Sequence, residues 1–329
     1  MKVVTLDSII GQKPAVTLLK TGLKSSKFFH SYLFTGIKGV GKNTTANAFV
    51  FHLLCKEKKS PCGECSSCKK LIKEVHPDVL KIFPEKKEIT IKQVREVIQF
   101  LKYRPIEGEY KVIIIDQAEK MNLEAANALL KSLEEPPEFA IFILITENFT
   151  KLLPTIVSRS QVVRFHSLPK EVIVKELKKR YWFEDEVAES LADISQGSLG
   201  FAMELAEKGG LEELSAFVKA GLSQDFQVKF RIVERLAALE KERIETFFYL
   251  LYMWIWRSYI FNKLKSGYPK AFPEEKFVGK PYEVFKLIEE VRQALERYVN
   301  PELAFLSLML GIFSDSREYQ VRPQLQTSP

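Results

Sequence analysis

"HSYLFTGIKGVGKNTTANAFVFHLLC", residues 30–55, decides how the rest of the chain is read. The stretch opens as an apolar run of strand length, closes with helical spacing, and holds a glycine loop between the two. A strand that runs into such a loop and opens a helix is the setting of a phosphate-binding loop, whose pattern is G-x-x-x-x-G-K-[ST]. Gly36, Gly41 and Lys42 fit that pattern and Gly39 adds a further glycine. Asn43 stands where a hydroxyl belongs, and Thr44 comes one position late. Backbone N–H groups and the helix N-terminus would cradle phosphates, with Lys42 reaching the terminal ones. The missing hydroxyl ordinarily coordinates Mg²⁺. Asn43 offers only a longer and differently placed amide oxygen, so phosphate binding is expected to outlast metal binding. The plainer alternative is a strand-to-helix turn with no ligand.

Outward from the loop, strands and helices alternate. Strands are expected over 78–83, 110–116, 140–146 and 161–165, and helices over 90–103 and 122–135. "YKVIIID" is a continuous β-branched run, which suits a strand buried on both faces. Ile91, Val94, Ile98 and Leu101 recur at helical spacing, and Pro136-Pro137 stops the helix before them. The alternation predicts an α/β fold with a parallel, doubly wound sheet. After residue 167 only helical periodicity remains, broken at "QGSLG" (196–200), "EKGG" (207–210) and "SGYPKAFPEEKF" (266–277). The expected domains are therefore an α/β domain over 1–167, a small helical lid over 168–209 and a helical domain over 210–320. Residues 321–329 read as a flexible tail.

Asp116 ends the run "VIIID", where an acidic residue at a strand's C-terminal end supports Mg²⁺ in phosphate-loop ATPases. The Glu that normally follows and polarises the attacking water is replaced by Gln117, and Glu119 lies two positions further on. An amide cannot accept the proton.

All four cysteines fall within "CKEKKSPCGECSSC": Cys55, Cys62, Cys65 and Cys68. Together they make a complete Cys₄ set, as closed structural zinc sites require. A disulfide pair, or free thiols in a reducing compartment, is the alternative. His76 is a candidate substitute ligand, though "HPD" reads more naturally as the lead into the next strand.

The bulk numbers narrow the function classes. With 329 residues, 46% hydrophobic and 28% charged, the chain suits two or three globular domains. The start "MKVVTLDSII" has no apolar h-region and no cleavage site, so no signal peptide is expected. "FFYLLYMWIW" (247–256) ends at Arg257 and is too short to span a bilayer. A cytoplasmic protein without membrane contact is expected. The net charge of +7 permits contact with nucleic acid, but it is spread out, and runs such as "KEKK" (56–59) also serve as solvated faces.

Taken together the stretches resemble the bacterial clamp-loader ATPases of the AAA+ class. "DSIIGQ" (7–12), the glycine loop, the cysteine insert and "HPDVLKIFPEKKEITIKQVREVIQFL" carry the likeness. So do "NALLKSLEEPPEFAIFILIT" (127–146), "LLPTIVSRSQVVRF" (152–165), "QGSLGFAMELAE" (196–207) and "NPELAFLSLML" (300–310). The last of these is similar to the family's final collar helix, which implies that 210–320 is an oligomerisation collar. The motor subunits of the family, γ and τ, have a full phosphate loop, an Asp-Glu pair and a sensor arginine after "GSL". This chain has Asn43, Gln117 and Gly200 at those places, and so resembles the δ′ branch of the DNA polymerase III loader. That resemblance implies a stator without its own turnover, structural Zn²⁺ on the four cysteines, and an arginine finger at Arg159 acting on a neighbour's ATP site. Ser160 stands where the motor subunits often have Cys. It further implies γ/τ and δ subunits as partners, and contact with the sliding clamp and primed DNA through the complex. Whether ATP or ADP occupies the chain's own loop stays open, as do an active γ/τ-like ATPase and a zinc-dependent DNA-binding protein.

Overall fold

The computed structural model describes residues 3–57, 61–265, 268–297, 299–313 and 319–322. The chain divides into two compact units, one formed by Met1–Leu168 with Ser198–Gly200, the other by Pro169–Gly197 with Phe201–Pro329.

In the first unit the elements are α1 (Lys13–Ser25), β1 (Ser31–Thr35), α2 (Lys42–Leu54), α3 (Ser66–Ile72), β2 (Val79–Ile82), α4 (Ile91–Leu101) and β3 (Lys111–Ile115). They continue as α5 (Leu123–Glu134), β4 (Ala140–Thr146), α6 (Pro154–Ser158) and β5 (Gln161–Arg164). The five strands form one parallel sheet in the order β2-β3-β4-β1-β5. The strands expected from the sequence all fall within this sheet.

β1, β3 and β4 are buried along their whole length. Successive residues of a strand point to opposite faces, and here each face meets its own core. Tyr32, Phe34, Val112, Ile114, Ile141 and Ile143 pack with α1 and α2 on one side. Leu33, Ile113, Ile115, Phe142 and Leu144 pack with α4 and α5 on the other. Two-sided burial is why these strands read as unbroken apolar runs rather than alternating ones. Local signals set the helix ends. Thr90 and Gln93 form a capping box at α4, Asn122 caps α5 by accepting from the Ala125 N–H at 2.9 Å, and Pro136-Pro137 follow its end.

The second unit is mostly helical: α7 (Lys170–Tyr181), α8 (Asp185–Ile194), α9 (Leu199–Lys208), α10 (Leu211–Leu222), α11 (Phe226–Ala237), α12 (Lys241–Leu264), α13 (Pro281–Glu296) and α14 (Pro301–Phe313). The first two residues of α9 belong to the first unit. "FFYLLYMWIW" lies in α12, where Phe247, Phe248, Leu251 and Trp254 are buried with Phe217 and Phe305. Among the described residues no helix is long and apolar enough to cross a membrane.

One feature departs from the purely helical expectation beyond 167. β6 (Lys276–Gly279) pairs antiparallel with β7 (Tyr319–Arg322), in register Lys276 to Arg322. The pairing corrects the tail expected over 321–329 at its first two residues; 323–329 lie outside the described residues.

Candidate functional site

The glycine loop joins the C-terminal end of β1 to α2. That end lies beside the point where the sheet order reverses, with β4 on one side of β1 and β5 on the other. Ligands of open α/β sheets bind in such a crevice. Gly39 and Gly41 have φ of +80° and +103°, the left-handed region that favours glycine. At Gly36 a Cβ would come within 2.4 Å of the Phe165 carbonyl, so only glycine permits this approach to the end of β5. Open space faces the position where Gly41 would carry a Cβ.

Lys42 opens α2 and is buried. Its Nζ donates to the Gly36 carbonyl and, at 2.9 Å, to that of Ile37. Burial lowers its pKa, against the opposing pull of the Glu147, Asp116 and Glu119 carboxylates. These three acids and Lys42 therefore share one electrostatic environment.

Asn43 Nδ2 donates to Asp116 Oδ2 over 2.7 Å. The other Asp116 oxygen accepts the Gln117 N–H at 2.9 Å. Thr44 is exposed, whereas Thr45 is buried and its hydroxyl donates to the Gly41 carbonyl at 2.8 Å. Gln117 sits at φ +52°. Glu119 approaches the Glu147 N–H at 3.5 Å through one oxygen, and its other oxygen is buried without a hydrogen-bond partner.

Two supports of the loop are not visible in the motif itself. Gln12, 1% exposed, donates to the carbonyls of Val40 (3.3 Å) and His166 (2.7 Å) and accepts the His166 N–H (3.0 Å). The segment Ser198–Gly200 closes on the other side: Ser198 Oγ donates to the Lys38 carbonyl at 2.7 Å, and the Gly200 N–H to that of Gly39 at 2.8 Å. A side chain at 200 would place its Cβ 2.8 Å from Gly39 Cα.

The cysteines meet at the junction of α2 and α3. Cys55 follows the last turn of α2, Cys65 is the N-cap of α3, and Cys68 lies in its first turn. All four Sγ atoms lie within 4.8 Å of one another, and Cys55 and Cys62 are 3.7 Å apart. Tetrahedral zinc with Zn–S of about 2.3 Å places its sulfurs about 3.8 Å apart, so the donor set fits. Backbone N–H groups of Cys62, Cys65 and Cys68 point at the sulfurs of Cys55, Cys62 and Cys65 at 3.3–3.4 Å. Bonds of this kind orient and stabilise thiolates. Burial works against ionisation of Cys65, but N–H groups of Cys68 and Lys56 and the neighbouring thiols bring it down to about 6. His76 is not part of this set. Its Nε2 lies 2.9 Å from Ser67 Oγ and its Nδ1 accepts the Asp78 N–H at 3.1 Å.

Arg159 stands apart from both groups. It follows α6 and precedes β5, whose Gln161 pairs in register with Tyr32 of β1. Ser160 Oγ is 2.8 Å from Ser31 Oγ. Arg159 thus lies at the N-terminal edge of the sheet, and the glycine loop at the C-terminal edge. β1 separates them by about 16 Å at ~3.3 Å per residue. Its guanidinium is partly exposed, bonded to the Thr155 carbonyl (3.1 Å) and paired with Glu134 (2.7 Å).

The family model described as "DNA polymerase III, delta subunit" matches residues 11–169. A relative from Pseudomonas aeruginosa named DNA polymerase III subunit delta′ is 38% identical over 197 residues, 58% of this chain and 60% of that one. DNA polymerase III subunit tau/gamma of Haemophilus influenzae is 34% identical over 211 residues, 62% of this chain and 30% of that one. Subunit tau of Bacillus subtilis is 34% identical over 216 residues, covering 65% and 37% respectively. The chain thus spans less than two thirds of the length of each of these relatives, from 30% to 60%. A solved gamma-subunit-related protein from Thermotoga maritima superposes with a TM-score of 0.47 at 23% identity, over 88% of this chain and 97% of that one.

Proposed function

Because this chain is a member of the bacterial clamp-loader AAA+ family, we propose that it is a δ′-type stator of a DNA polymerase III clamp loader. In this reading it assembles with γ/τ and δ subunits through a helical collar in residues 210–320, with 168–209 as the lid. The assembled loader opens the sliding clamp and places it on primed DNA. The chain itself turns over no ATP.

The observation that carries the proposal is the position of Arg159. At the opposite edge of the sheet from its own phosphate loop, it cannot reach a nucleotide held there, yet its side chain is partly exposed to solvent. The geometry suits a guanidinium offered to the γ-phosphoryl group of a nucleotide in the adjoining subunit. Its planar fork spans phosphate oxygens and stabilises charge developing on the transferred group. In cis the machinery is incomplete: Gln117 has no proton-accepting oxygen to activate water, and Asn43 faces Asp116 with an amide hydrogen.

The cysteine centre completes the reading as a structural Zn²⁺ site on Cys55, Cys62, Cys65 and Cys68. Four thiolates fill a tetrahedral ion and leave no position for substrate, so the metal would fix the α2–α3 junction rather than react. Reconstitution with candidate γ/τ and δ subunits tests the proposal. The chain alone should release no phosphate above background, and adding it should raise clamp- and DNA-stimulated ATPase of the partners. Robust turnover by the isolated chain would instead favour a γ/τ-like motor, to which the tau and gamma relatives also correspond.

A further inference from the structure

The Mg²⁺ ion that a phosphate loop ordinarily holds does not fit the residues of this one. The ion is held by a hydroxyl at the start of the helix and supported by an acidic residue at the end of a neighbouring strand. Here Asn43 Nδ2 occupies the space facing Asp116, 2.7 Å from Oδ2, and the Gln117 N–H takes Oδ1 at 2.9 Å. An amide NH₂ carries no lone pair for a cation. Turning the amide over would set its oxygen against a carboxylate oxygen at the same distance, so the donor orientation is the one the pair enforces. Both Asp116 oxygens are thus already engaged by donors.

The surroundings add a second constraint. Glu119 and Glu147 join Asp116 in acting on Lys42, the ammonium at the end of the loop. Without a divalent cation between them, a γ-phosphate would meet this negative charge directly. The α- and β-phosphates would not. They would lie over the glycine loop and the first turn of α2, where backbone N–H groups carry partial positive charge. Space is open there at Gly41.

We propose that the loop takes a nucleoside diphosphate without a divalent cation and rejects the triphosphate. Asn43 holds Asp116 in the place of the metal, and Lys42 leaves the carbonyls of Gly36 and Ile37 to meet the β-phosphate. The site then serves as a static anchor for the Ser198–Gly200 segment bonded to Lys38 and Gly39. The in-trans role of Arg159 does not depend on it, and the binding outcomes below leave that role untouched.

The test is equilibrium binding of a fluorescent N-methylanthraniloyl ADP to the full chain, followed by anisotropy. Mg²⁺ is titrated into resin-treated buffer rather than chelated out, because a chelator would also attack the cysteine centre. The expected dissociation constant for ADP stays within about twofold across the Mg²⁺ titration, and ATP competes about tenfold more weakly, a difference of about 1.4 kcal/mol. Asn43→Thr should make ADP binding tighten about tenfold with Mg²⁺. Lys42→Ala should abolish the signal, which locates the probe on the loop. Wild-type binding that strengthens tenfold or more with Mg²⁺ overturns the proposal, as does a preference for ATP or the absence of ADP binding at millimolar concentration.

Discussion

The Gly200 N–H donates to the Gly39 carbonyl over 2.8 Å, and the same closeness leaves no room for a side chain at 200. Gly200, which the family resemblance sets at the place of the motor subunits' sensor arginine, lies against the backbone of the glycine loop. Gly200→Arg should therefore weaken the protein rather than animate it. Forcing a Cβ against packed backbone costs about 1–3 kcal/mol. A thermal melt should show a fall of several degrees, since ~1 kcal/mol shifts a unit of this size by about 2–4 °C. The triple variant Asn43→Thr, Gln117→Glu, Gly200→Arg should release phosphate no faster than background in the isolated chain. Turnover well above background would show that the Gly39–Gly200 contact yields easily and that only the missing residues had silenced the site.

The second prediction concerns the cysteine centre. Protein purified without chelator should carry close to one Zn²⁺ per chain by elemental analysis. Cys68 is the most sensitive position, being fully buried and sited in the first turn of α3. Cys68→Ser should lower the metal content and the melting temperature together, because metal binding is coupled to local folding. Full-length protein with no bound metal and an unchanged melt would remove zinc from the account.

A third prediction turns on Asp78, which is buried and accepts the N–H groups of Ile106, Glu107 and Gly108 at 2.6, 2.8 and 2.8 Å. Burial alone would raise its carboxyl, but the three backbone donors outweigh it and hold the pKa below the usual value. A depressed folded pKa stabilises above the unfolded value and loses that contribution as pH falls through the folded one. Asp78→Asn should cost about 2–4 kcal/mol at neutral pH, since a charged acceptor of several buried bonds is replaced by a weaker one. The gap between wild type and variant in urea unfolding should narrow below about pH 4. A gap independent of pH would mean that the carboxylate charge is not what holds the 106–108 turn.

The sheet was legible chiefly because β1, β3 and β4 are short apolar runs buried along their whole length, so each announces itself without reference to its neighbours. The placing of the glycine loop between β1 and α2, and the gathering of the four cysteines, were legible because fixed spacing marks both. What was hidden depends on contacts between distant segments. Gln12 enters the sequence reading only as the last residue of "DSIIGQ", and only the fold brings it to His166. Ser198 and Gly200 meet Lys38 and Gly39 across some 160 residues. β6 and β7 are four residues each and become strands only by pairing with one another. α1 is absent from the sequence-based expectations, although Pro14 and the buried positions Ala15, Leu19 and Gly22 recur at helical spacing. That helix could have been read from the pattern.

ATP hydrolysis in the reconstituted loader reads out whether Arg159 acts on a neighbour's nucleotide. Glu134 pairs with Arg159 at 2.7 Å, so Glu134→Gln serves as a control that frees the guanidinium without removing it. Arg159→Ala should leave the melt and subunit assembly nearly unchanged, the pair being largely solvent-screened. Clamp- and DNA-stimulated ATPase should fall. A finger acting alone is worth roughly 10³–10⁵ in rate at its site, but other motor sites would keep their own, so the total loss should be partial and clamp loading should suffer more. Arg159→Lys should rescue poorly for want of the planar fork, while Glu134→Gln should hydrolyse ATP at least as fast as wild type. An Arg159→Ala loader that hydrolyses ATP and loads clamps like wild type would contradict the account, leaving Arg159 as a surface residue paired with Glu134.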